Sequence, residues 1–200
     1  QGTLSVAADG NLSAGTVTLN GGTLAVTGAT TIDNAVALGA SNGTVNVGAN
    51  VTMSGVVSGA GNLTKTGAST LTLSGTNTYS GTTTVSGGTL SVSTDSNLGT
   101  GNVALSGGGL TVTGATTIDN NISGTSGLTK SGTGTVILSG TNTYSGGTTV
   151  NGGTLQVSGG SALADAGAVT VSSGATLDLN NTSETIGSLV GSGTLNIGTG

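Results

Sequence analysis

The chain has 200 residues, with 41 glycines, no proline, cysteine or histidine, and a formal charge of −5 from two lysines against seven Asp and Glu. So few cations leave nothing to neutralise a run of phosphates, which makes nucleic acid an unexpected partner, and the missing cysteines exclude a disulfide scaffold. The low charge and absent proline also argue against a disordered linker, while Gly, Thr, Val, Ser and Asn make a vocabulary of turns and strands that nearly excludes long helices.

In chain order, strand-like phrases begin near Leu4, Leu24, Val45, Leu71, Leu90, Leu110, Val136, Leu155, Leu177 and Leu195, usually after Gly-Thr or Gly-Gly-Thr. The steps between them are 20, 21, 26, 19, 20, 26, 19, 22 and 18 residues. Two further apolar points recur inside each interval, as Leu12 and Val17-Thr18-Leu19 follow Leu4, and Leu98 and Val103-Ala104-Leu105 follow Leu90. Each interval therefore predicts three short strands with one apolar and one polar face, as in Thr23-Leu24-Ala25-Val26-Thr27, separated by corners of Gly, Asn, Asp or Ser. Three such strands cannot bury their own apolar face, so neighbouring coils must stack and cover it. The prediction is an all-β parallel solenoid of about ten coils of roughly 20 residues, near 45 Å long at the ~4.8 Å strand spacing. No internal linker is evident, and residues 1–200 read as one continuous segment.

Eight residues, Ser74-Gly75-Thr76-Asn77-Thr78-Tyr79-Ser80-Gly81, return unchanged as Ser139 to Gly146, an offset of 65. They lie within longer copies at 61–92 and 126–157. A second echo at offset 86 relates Gly2-Thr3-Leu4-Ser5-Val6 to Gly88-Thr89-Leu90-Ser91-Val92, and Thr30 to Asn34 to Thr116 to Asn120. If a partial-coil slip turns apolar side chains outward, the copied blocks should span whole coils, three for 65 and four for 86. Tyr79 and Tyr144 should then cover corners with their hydroxyls reaching water.

The residues give little to catalysis. Without His, Cys or Arg there is no Ser-His-Asp or Cys-His nucleophile, no zinc site of the usual ligands and no guanidinium clamp. Gly39-Ala40-Ser41-Asn42-Gly43 matches a nucleophile-elbow pattern but lacks a base, and neither Lys65 nor Lys130 lies in a phosphate-binding loop. The acids are sparse. Asp9 with Asp95 and Asp33 with Asp119 are copies, expected about 19 Å apart at four coils, too far to flank one glycosidic bond. Asp178 should face solvent between Leu177 and Leu179, and Glu184 a turn. The expectation is no enzyme, no catalytic, cofactor-binding or metal site, and no cofactor. Thr-x-Thr pairs such as Thr16-Val17-Thr18, Thr70-Leu71-Thr72 and Thr76-Asn77-Thr78 invite comparison with ice-binding solenoids, but a regular ice face needs register and their positions shift from coil to coil.

No apolar run approaches the ~20 residues of a spanning helix, and Gln1 opens the chain without a signal sequence, so membrane insertion of this segment is not expected and a fragment of a larger protein is. Coils at Leu4 and Leu195 would carry open ladder edges, which suggests a self-associating extracellular fibre or adhesin subunit as an alternative function. An ice-binding or polysaccharide-cleaving solenoid is weaker.

The phrase from Gly61-Asn62-Leu63-Thr64-Lys65-Thr66-Gly67 to Tyr79-Ser80-Gly81, and its copy up to Val157, resembles the autotransporter-associated β-strand repeat, also called the passenger-associated transport repeat. Ser183-Glu184-Thr185-Ile186-Gly187-Ser188-Leu189-Val190-Gly191-Ser192-Gly193 looks like a connecting phrase of such passengers. The resemblance implies a right-handed β-helical passenger of a Gram-negative type V secretion system, a stalk at the cell surface that folds vectorially and presents or forms an adhesive surface. It also implies an outer-membrane translocator barrel on the same polypeptide, with host-surface contact or self-association as further partners. It carries over no functional residue.

Overall fold

The computed structural model describes residues 2–198. Within them 24 strands of three to five residues follow one another, with two short 3-10 turns at Asp9–Asn11 and Asp95–Asn97. The pairings are parallel, and they assemble the coils into three sides. The first side carries seven strands, from Thr3–Val6 to Ile122–Gly124. The second carries nine, from Thr30–Ile32 to Ser188–Gly191. The third side is built by two sheets in succession, three strands starting at Val17–Leu19 and five from Thr116–Ile118 to Thr194–Asn196.

Alternation places the core. In Thr23–Val26 the pattern puts Leu24 and Val26 inward, both fully buried, and Thr23 and Ala25 outward. Leu24 stacks on Leu4 and Val45 on Leu24, and the same holds for Leu90 and Leu110. One continuous apolar cluster runs through the interior. A single coil has neither covered faces nor ladder partners; stacking supplies both, through apolar burial and inter-coil hydrogen bonds.

The stacking corrects one expectation. Down the first side, the inward column runs Leu4, Leu24, Val45, Lys65, Val85, Leu105. Val45 is thus followed by Lys65, 20 residues on, and not by Leu71, which stands on the second side over Val51. Likewise Leu110 is followed by Leu128, and Val136 stacks on Thr116 on the third side. Each 26-residue step is one coil plus one side. The offset of 65 is accordingly three coils plus one side: Leu63–Thr66 lies on the first side and its copy Leu128–Lys130 on the second, while Thr70–Leu73 lies on the second and its copy Thr135–Leu138 on the third. The offset of 86 behaves the same way, taking Thr3–Val6 on the first side to Thr89–Val92 on the second. A shift by a whole side does not invert any strand, because all three sides present the same inward alternation; only a one-residue slip would.

Candidate functional site

The duplicated block builds two kinds of corner, and both are buried. Leu63-Thr64-Lys65 continues the strand alternation, so Lys65 points inward like Leu63 and is fully buried between Val45 and Val85. Its ammonium has three donors and three backbone carbonyls to receive them: Thr66 at 3.2 Å, Gly67 at 2.9 Å and, one coil on, Gly87 at 2.8 Å. Lys130 repeats this with the carbonyls of Ser131, Gly132 and Gly152 at 2.8, 2.9 and 3.0 Å. Gly67 and Gly132 have φ of +82° and +77°, a turn that brings their carbonyls back onto the ammonium. Each lysine therefore ties its own corner to the corner of the next coil. Neither lysine lies in a phosphate-binding loop, and alternation from Leu63 and Leu128 already places both inside.

Burial pulls the Lys65 ammonium down to about 8 and lowers Lys130 in the same direction. The unfolded lysine keeps its proton to the ordinary value of 10.5, so between the two values the unfolded chain binds more protons and stability rises with pH. The tyrosines act oppositely. Tyr144 is pushed up to about 12, chiefly by burial, so above its ordinary value of 10.0 the unfolded chain ionises first and stability falls. Thermal midpoints measured from about pH 7.5 upward are expected to rise to a maximum near pH 10 and then decline, and Lys65→Met should flatten the rise. A midpoint that falls steadily from neutral pH in the parent chain would contradict the lysine assignment.

The tyrosine corners also differ from expectation. Tyr79 and Tyr144 are completely buried, and their hydroxyls meet the side chains of Thr83 at 2.6 Å and Thr148 at 2.5 Å instead of water. Thr83 and Thr148 occupy inward strand positions four residues on, where a hydroxyl satisfies the phenol that the ring carries into the core. Asparagines close the remaining gaps in the ladder. Asn77 Oδ1 accepts the Val57 amide of the coil before and its Nδ2 donates to the Asn97 carbonyl of the coil after. Asn142, its copy, bonds the Ile122 amide and the Ala162 carbonyl in the same way.

The carboxylates come together differently from the copy pairs. Asp9 Oδ1 accepts the Asp33 amide at 3.2 Å, and Asp95 Oδ1 accepts the Asp119 amide at 3.4 Å. The acids that meet are thus neighbours one coil apart. Burial raises the Asp95 carboxyl, the Asp119 amide lowers it, and the Asp119 charge raises it. Asp178 faces outward and accepts from Gln156 Nε2 at 2.8 Å, and Glu184 receives the amides of Ala162 and Leu163 at 2.9 and 3.3 Å. Among the described residues no three His, Cys, Asp or Glu side chains converge in a way that would hold a metal ion. Ser41 of the Gly-x-Ser-x-Gly match sits in a turn where Asn42 has φ +67° and Asn20 accepts the Ser41 amide.

The two lysine-to-tyrosine blocks are also where comparison with known proteins finds a match: the family model for the passenger-associated transport repeat matches residues 63–92 and 128–157. Both matched segments lie within the duplicated block. Each repeat spans a lysine corner, a buried tyrosine and the Gly-Gly-Thr-Leu strand entry, and the pair fits, with the solenoid, an autotransporter passenger. No curated protein and no solved structure matches the chain. Among the described residues no helix is long and apolar enough to cross a membrane.

Proposed function

We propose that the chain is a stalk segment in the passenger of a type V secreted protein, displayed on the surface of a Gram-negative bacterium and without catalytic activity of its own. The observation that carries this is the uninterrupted second side: nine parallel strands run through both transport repeats, with the lysine corners rebuilt in each. A translocator barrel on the same polypeptide is the partner that passes the chain outward. The passenger crosses unfolded and then winds coil upon coil, presenting or forming an adhesive surface along its length. The third acceptor of Lys65, the Gly87 carbonyl, belongs to the following coil of the same repeat, so the lysine corner is complete only once that coil is in place. Each added coil gains burial and ladder bonds, and this opposes backsliding.

Intact cells making the full-length protein test the reading. A folded β-rich rod containing residues 63–157 should be released into the medium by mild proteolysis of those cells, and retention of this segment inside the cell would sink the proposal. The released rod should leave a panel of polysaccharides and peptides uncleaved. Reproducible turnover abolished by Asp95→Asn would instead make the chain an enzyme.

A further inference from the structure

Because the leucine positions change side at each 26-residue step, following them mixes three surfaces and hides the register of the threonines. Sorted by side, the outward residues line up. On the second side Thr52, Thr72, Ser91, Thr111, Thr129 and Thr149 are direct partners on six successive coils. Two residues on, Ser74, Thr113 and Ser131 belong to a parallel file, set by ladder bonds from their amides to Met53, Val92 and Val112. The corresponding line on the third side is mixed, reading Thr117, Ile137, Gln156 and Asp178. On the first side five threonines end at Ala104.

We propose that the second side is an ice-binding surface, its occupant the lattice of water on a growing ice crystal. The files form a rectangular mesh of about 4.8 Å between coils and about 6.7 Å along the strand. That mesh lies close to the oxygen repeat on the prism face of hexagonal ice, and six coils give it a length of roughly 24 Å. Its chemistry is neutral: both lysines of the chain lie in the interior, and neither file carries a carboxylate between Thr52 and Thr149. A phosphate, a charged peptide or an anionic lipid surface finds nothing to pair with there. Each threonine offers a hydroxyl and a methyl on a β-branched side chain whose χ1 is restricted, so the oxygens are held in place before water arrives. The parallel ladder fixes the spacing beneath them. The hydroxyls of Thr52, Thr72, Ser91, Thr111, Thr129 and Thr149 have no hydrogen-bond partner among the described residues, which leaves them for water, whereas in the second file Ser74 and Thr113 donate to the Met53 and Val92 carbonyls and keep only acceptor capacity for it. The inference goes beyond the stalk reading and does not depend on it.

The test is thermal hysteresis and inhibition of ice recrystallisation by the purified chain, alone and as Thr111→Lys and Thr72→Lys, with Gln156→Lys on the third side as the control. Circular dichroism confirms that each variant folds, and Thr129→Ala serves in place of a lysine variant that does not. Hysteresis is expected in the parent chain and in Gln156→Lys, and is expected to be lost when a lysine interrupts the second side. A parent chain without hysteresis, or hysteresis indifferent to Thr111→Lys and Thr72→Lys, overturns the proposal. So does concentration-dependent association that Thr111→Lys abolishes in a chain without ice activity, since the occupant would then be a second copy.

Discussion

Valine at Gly67 is expected to cost about 4 kcal/mol of stability or more, the range reached when steric conflict and backbone strain coincide. Gly67 sits at φ +82°, and a Cβ there would stand 2.2 Å from the Val47 carbonyl oxygen of the preceding coil. A β-branched residue finds that φ region especially unfavourable, and the neighbour it meets is backbone in a ladder that cannot retreat without parting two coils. The displaced corner would also withdraw the Gly67 carbonyl from the Lys65 ammonium. Gly10→Ala is the control, because a Cβ at Gly10 meets nothing within 4 Å, and its effect should stay within about 0.5 kcal/mol. Urea unfolding of the two variants decides it: a midpoint for Gly67→Val equal to that of the parent, with unchanged slope, would show that the lysine corner is not rigid.

The second large effect joins coil stacking to secretion. Ser91 and Thr111 are direct partners on adjacent coils, both pointing outward, so cysteines there stand at about 4.8 Å between Cα atoms, inside the range a disulfide spans. In the full-length protein the double variant Ser91→Cys with Thr111→Cys is expected to oxidise in the periplasm and close a loop that cannot thread as one extended strand. Surface display should fall sharply, either single cysteine should pass, and loss of periplasmic oxidase should restore the double variant. Undiminished display of a demonstrably preformed disulfide would refute single-strand threading, while failure to oxidise in the purified, folded chain would refute the stacking.

Much of the architecture was legible because period-two alternation and a 20-residue return are written in the residues themselves: Leu4, Leu24, Leu90 and Leu110 stack as their spacing indicates. What failed was the reading of the 26-residue steps. Apolar spacing reports how often the chain faces inward but not which side it faces from, and three sides with the same alternation are indistinguishable in one dimension. Asp9 was weighed only against its distant repeat copy Asp95, and its contact with the Asp33 amide one coil on was not foreseen. The buried lysines were legible in pattern and missed in meaning, since a cation at an inward slot is expected only when acceptors are known to surround it, and here those acceptors are carbonyls whose direction depends on a positive φ at Gly67 and Gly132. Tyr79 lies outside any strand, so alternation gave no facing for it, and its partner Thr83 was visible only as another strand threonine.

The extra side in both copy offsets makes the solenoid a screw thread in which duplication advances the pattern by a fraction of a turn. A block copied in this way reappears at a new azimuth, as the lysine corner does in passing from the first side to the second. An epitope or anchoring patch carried by such a block would therefore face a different compass direction with each copying, and three copies would surround the shaft. Lengthening the protein by duplication thus broadens the directions from which it can be approached, with no loop or hinge needed to turn it.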